Sequence, residues 1–191
     1  MNTNKIAILA SGSGTNAENI VRFFNDESKS EVDLILSNNK NAFVLERAVN
    51  LGVKSVCFTR EEFNSEKFLD YFKDIDLIVL AGFLWLIPTF LIEAFPNKII
   101  NIHPALLPAY GGKGMYGMNV HKAIIENGEK KSGISIHFVN EKYDEGNIIF
   151  QATCEVESHD TPESLADKIH VLEQEHFPRV VKEVLDGIGK V

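Results

Sequence analysis

The chain is 191 residues long, 45% hydrophobic and carries a net charge of −8. That supplies one full core in a compact domain, and so acidic a chain repels phosphate backbones, which argues against general nucleic-acid binding but not against a local site for one phosphate. Its two cysteines, Cys57 and Cys154, stand outside any CxxC or histidine cluster, so no disulfide framework or metal site is expected; both are read as buried thiols in strands.

The first apolar run, Ile6–Ala10, is too short for a signal-peptide core or a membrane span. It reads as a strand of a cytoplasmic protein with no membrane partner. Further β-branched runs follow at Val32–Leu36, Val53–Phe58, Leu77–Leu80 and Ile99–Ile102, with helices between them at about Ala17–Asn25, Phe43–Leu51, Ser65–Lys73 and Pro88–Phe95. This alternation predicts an α/β fold: an open, mostly parallel, Rossmann-like sheet with helices on both faces. The C-terminal part changes character. Gly133–Val139 and Ile148–Val156 read as a hairpin-like antiparallel pair. Thr161 then caps a helix that starts at Pro162 and buries Leu165, Ile169, Leu172 and His176, with a kink or restart at Pro178. The long loop His103–Met118 has the length of a functional segment.

The first strand ends in Ser11-Gly12-Ser13-Gly14-Thr15-Asn16 and runs into a helix. Glycines allow close backbone approach, and the helix start offers N–H groups to an anion. The third glycine of GxGxxG is missing, no acidic residue ends the second strand, and no Gly-Lys-Ser/Thr follows. A phosphate monoester therefore fits this loop better than a dinucleotide.

Asn101 and His103 lie two apart at the carboxyl end of the fifth strand, so both project to one side of the sheet edge where open α/β folds bind ligands. Asp144, in the turn Tyr143–Asn147, is a carboxylate within potential reach of that histidine. Asn101 can donate to a developing oxyanion, and His103, held charged by Asp144, can do the same and pass a proton.

These strings, in order along nearly the whole chain, resemble the glycinamide ribonucleotide (GAR) formyltransferase family. The resemblance rests on Ser11–Asn16, Leu80-Ala81-Gly82-Phe83, Asn101-Ile102-His103-Pro104-Ala105-Leu106-Leu107-Pro108, His137-Phe138-Val139 and Asp144-x-Gly146. It implies a single formyltransferase domain over 1–191, with a phosphate-binding half over about 1–100 and a catalytic, folate-binding half over about 101–191. It implies 10-formyltetrahydrofolate as co-substrate, no metal, and small-molecule partners only, in a monomer or homodimer. By the resemblance Gly14, Thr15 and Asn16 take the acceptor phosphate, Asn101, His103 and Asp144 are catalytic, and Glu173 holds the acceptor ribose. Leu84, Trp85, Leu86 and Ile87, with Asn140, Glu141, Lys142 and Tyr143, hold the folate.

The chain departs from the family pattern at several points. Trp85 stands where the family usually has Arg, and Glu66 where it often has a basic residue, with Lys67 beside it. A family His-x-His appears only as Asn119-Val120-His121, and the loop Tyr110–Met118 is longer than usual. Other readings stay open from sequence: a formyltetrahydrofolate hydrolase, a formyltransferase acting on tRNA or a sugar nucleotide, and a phosphate-ligand sensor without catalysis.

Overall fold

The computed structural model describes residues 3–26 and 29–188. Five strands run parallel: β1 (Asn4–Leu9), β2 (Ser30–Ser37), β3 (Lys54–Cys57), β4 (Leu77–Leu80) and β5 (Ile99–His103). Two more, β6 (Lys131–Phe138) and β7 (Ile148–Glu155), continue the sheet antiparallel, in the order β3-β2-β1-β4-β5-β6-β7. The expected mixed sheet and its C-terminal hairpin are both present. The chain turns to opposite sides after β1 and after β4, so a crevice opens between their carboxyl ends, the usual ligand position in such sheets.

Side chains alternating along β1 feed two cores. Ile6 and Ile8 pack under α1 (Thr15–Asn25), α2 (Phe43–Asn50), α5 (Met118–Glu126) and α6 (Pro162–Ile188). Ala7 and Leu9 face the other side, under α3 (Arg60–Phe63), a 3-10 helix (Glu66–Phe72) and α4 (Thr89–Ala94). The second core is aromatic: Phe63 is fully buried, with the rings of Phe58, Phe68, Phe83 and Trp85 centred 5.2–5.5 Å away. Such pairs add roughly 0.5–1.5 kcal/mol each beyond their burial.

Four local expectations need correction. Pro178 does not restart α6, which continues through it. The proline lacks the N–H that would bond the Gln174 carbonyl, and that carbonyl instead accepts Asn19 Nδ2 at 2.9 Å. The lost rung thus becomes a tie between α6 and α1. The buried stripe runs through Leu165, Ile169, Glu173 and Phe177, leaving Leu172 and His176 half-buried at its border; its steps of four drift slowly round a helix of about 3.6 residues per turn. The segment 65–73 is a 3-10 helix, preceded by the short α3 with its Thr59–Glu62 capping box. The thiols are not buried: Cys57 is exposed and Cys154 half-buried, since β3 and β7 are the two sheet edges. Among the described residues no helix is long and apolar enough to cross a membrane.

Candidate active site

One cleft of about 750 Å³ follows the crevice at the carboxyl end of the sheet. At one end lies the glycine loop. Gly14 has φ +77°, a left-handed conformation, and an added Cβ would sit 2.4 Å from Val44 Cγ2. Glycine is therefore required there by backbone and by space. No side chain caps α1, so its first N–H groups lack an intrahelical or capping partner. Arg47 braces the loop from behind: its Nε donates to the Ser13 carbonyl at 2.9 Å and its guanidinium pairs with Glu18.

Beyond the loop stands α6. Glu173, only 6% exposed, accepts Asn16 Nδ2 at 2.9 Å and faces His170 Nδ1 at 2.9 Å, both through Oε2. That bond with Glu173 holds the His170 imidazole above its usual pKa despite partial burial. The register of the helix is thereby fixed: Glu173, not Glu175, is the inward carboxylate.

At the centre, antiparallel pairing sets Asn101 opposite His137 and His103 opposite Ser135. Asn101 Nδ2 lies 3.1 Å from His137 Nε2 and 3.4 Å from Asp144 Oδ1. His137 Nδ1 faces the Phe138 carbonyl at 2.8 Å, so this nitrogen carries the proton and Nε2 accepts from the amide. His103, 3% exposed, donates Nε2–H to the Tyr110 carbonyl at 2.7 Å and turns Nδ1 to Asp144 Oδ2 at 3.5 Å. Asp144 Oδ2 also accepts the Gly112 amide at 2.9 Å. The three residues singled out from sequence therefore share one contact network. Ser135 Oγ braces it by accepting Leu107 N at 2.9 Å and donating to the Ala105 carbonyl at 2.7 Å, which fixes the chain just after His103.

Burial lowers the His103 pKa, and the opposing pull of Asp144 and the Tyr110 carbonyl does not restore it. The sequence reading of an imidazole held charged is therefore reversed: His103 rests neutral. Burial pushes the Asp144 carboxyl up, but the neighbouring His137 and His103 rings, which pair with it when protonated, and the Gly112 amide hold it below its ordinary value.

The far arm is apolar. Leu84, Trp85, Leu86 and Ile87 line it, facing Asn140, Lys142 and Tyr143. The Leu84 amide is pinned by Ser11 Oγ at 3.1 Å. Glu141 does not line the cleft, because the turn that carries Asn140 inward sends the next side chain out to solvent. The Arg60 guanidinium lies 4.0 Å over the Trp85 ring. Sequence reasoning gave His137 no role of its own in the site; its cross-strand register with Asn101 becomes visible only once β5 and β6 are paired. Tyr110 and Gly112 act through backbone atoms and leave no side-chain signal.

The chain is similar to known proteins over most of its length. Residues 4–181 match the family described as formyl transferase. The chain is 42% identical to a chloroplastic phosphoribosylglycinamide formyltransferase of Arabidopsis thaliana over 96% of its own length and 65% of the relative's. It is 35% identical to the phosphoribosylglycinamide formyltransferase of Bacillus subtilis (strain 168), over 95% of this chain and 94% of that one. The crystal structure of glycinamide ribonucleotide transformylase 1 from Symbiobacterium toebii superposes with a TM-score of 0.87 at 32% identity, covering 97% and 89% of the two chains. The match spans most of the chain and includes the strands and loops that build the cleft, so this chain belongs to the formyl transferase family.

Proposed function

We propose that this chain transfers the formyl group of 10-formyltetrahydrofolate to the glycine amine of glycinamide ribonucleotide, releasing tetrahydrofolate. One observation carries the reading: the Asn101–His103–Asp144 network lies at the middle of a single cleft, between an uncapped helix start and an apolar arm. The phosphate goes to the amides around Gly14, Thr15 and Asn16. The ribose goes to Glu173 Oε1, the oxygen that Asn16 and His170 leave open. The pterin goes between Leu84–Ile87 and Asn140–Tyr143. The names of the relatives support this acceptor, and the site works in the cytoplasm on small molecules alone.

The neutral amine attacks the formyl carbon, and the carbonyl oxygen becomes an oxyanion. Asn101 meets it with the Nδ2 hydrogen held only by the long contact to Asp144. His103 Nδ1 takes the proton that the attacking nitrogen loses, before passing it on; meanwhile the imidazolium has an acceptor at each nitrogen, Asp144 and the Tyr110 carbonyl. Collapse breaks the bond to folate N10, and the proton lost by the amine reaches that nitrogen, with Asp144 holding the relay in place. The acceptor amine is already nucleophilic, so the step needs no metal.

Incubation with formyl-labelled folate separates the readings. Label in formylglycinamide ribonucleotide, appearing only with the acceptor, is expected. Release of formate at the same rate without acceptor indicates a hydrolase, and no turnover indicates a sensor.

A further inference from the structure

His121 lies on α5, faces the acceptor end of the cleft, and takes no part in the roles assigned above. It is 4% exposed, and its Nδ1 is sealed from solvent without a hydrogen-bond partner. Buried polar groups are rarely left unpaired. The ring borders the cleft, and Nδ1 is the nitrogen buried without a partner, which leaves Nε2 as the nitrogen available to a ligand.

The groups whose charges reach this ring are Glu173 and His170 on α6 and His103 on β5. Burial lowers the His121 pKa despite Glu173, so the ring is neutral near pH 7. With Nδ1 sealed and lacking a donor or acceptor, the proton is better placed on Nε2, toward the cleft. A neutral N–H beside a buried carboxylate with one open oxygen forms a donor–acceptor pair. That pair matches a sugar hydroxyl, which gives its hydrogen to Glu173 Oε1 and takes one from the imidazole.

We propose that His121 is a substrate-binding residue whose ring N–H donates to a ribose hydroxyl of the acceptor, completing with Glu173 a two-sided grip on the sugar. The proposal rests on the ribose lying at Glu173, as read above. It makes His121 a determinant of specificity for ribose over deoxyribose acceptors. Two features set it apart from a packing histidine: the unpartnered Nδ1 of a ring that borders the cleft and the neighbouring charges.

The test is a substrate-variant cycle at saturating 10-formyltetrahydrofolate, comparing glycinamide ribonucleotide with its 2′-deoxy and 3′-deoxy analogues. The enzymes are wild type, His121→Phe, His121→Gln and Glu173→Gln. Loss of one neutral hydrogen bond corresponds to roughly two- to thirteen-fold. His121→Phe should lose about that factor in kcat/KM for the ribonucleotide, and as much of its preference over one of the two analogues. KM for the folate should stay within about threefold, and His121→Gln should recover part of the loss. A full preference retained by His121→Phe, with Glu173→Gln losing it, overturns the proposal and leaves the ribose reading standing. Full preference in both variants removes the ribose from this end altogether. As a check that needs no variant, the His121 ring nitrogen resonances of the wild type should shift with glycinamide ribonucleotide and not with inorganic phosphate. Resonances unmoved at saturation also overturn it.

Discussion

Replacing Asp144 by asparagine keeps the size of the side chain and an oxygen for the Gly112 amide but removes the charge. Its Oδ2 stands 3.5 Å from His103 Nδ1, and unit charges at that separation attract by about 5 kcal/mol at an effective dielectric near 20. Part of this offsets the cost of keeping a carboxylate buried, so roughly 3 kcal/mol is left to stabilise the imidazolium that forms with the oxyanion, about a hundredfold in rate. The same charge does little for a neutral ring in the ground state. Asp144→Asn is therefore expected to lower kcat about a hundredfold while KM for both substrates stays within about threefold, the pattern of an interaction made only in the transition state. Steady-state kinetics with each substrate varied in turn reads this directly, and a preserved circular dichroism spectrum and melting temperature show that the fold is intact. A kcat within about fivefold of wild type would refute the argument, because His103 would then not need its carboxylate to carry charge.

Three further outcomes follow from the geometry. Gly14→Ala forces a Cβ to 2.4 Å from Val44 Cγ2 at φ +77°; left-handed strain and overpacking together should cost about 2–4 kcal/mol in urea unfolding and raise KM for the acceptor more than KM for the folate. Phe63→Ala empties the centre of the aromatic core and should destabilise by about 3–5 kcal/mol, with a weaker folate KM as Trp85 loses its support; a loss under about 1 kcal/mol would show that the core collapses to fill the gap. Asp160, bonded by Lys168 first and then by the Glu157 amide and Ser164, has its pKa lowered from 3.8 to about 2. A depressed carboxylate stabilises fully above its unfolded value and loses that contribution as pH falls through the folded one. The melting-temperature gap between wild type and Asp160→Asn should thus be constant above about pH 4 and close between pH 4 and 2; a gap unchanged at pH 2 would mean that the charge is not its source.

Much of the architecture was legible because periodicity is a local property. Ile6–Ala10 and Leu77–Leu80 are short apolar runs that only a doubly covered sheet accommodates, and both are central strands. Helix α5 was not foreseen: its start lies under Gly117, the end of a glycine-rich loop whose sequence carries no capping residue. Pro178 misled for a related reason, since the partner that rescues the freed carbonyl, Asn19, is 155 residues away in sequence. In the site, Asn101 and His103 were readable from their spacing on one strand, whereas His137 and Gly112 join through pairings that no local pattern encodes. Trp85 had read as a missing cation in the folate arm, yet Arg60, on a separate helix, brings a guanidinium back over that ring.

The tie at Pro178 has a consequence for affinity. Asn16 and Asn19, one turn apart on α1, hold two successive residues of α6, the Glu173 carboxylate and the Gln174 carbonyl. Two elements that would otherwise meet the ligand as independent jaws are riveted together when the chain folds. The acceptor then encounters a preset gap and surrenders little of its binding free energy to aligning the walls. Mending the helix with Pro178→Ala would return the carbonyl to its own ladder and loosen the rivet, so a variant with a better helix should release its ligand faster.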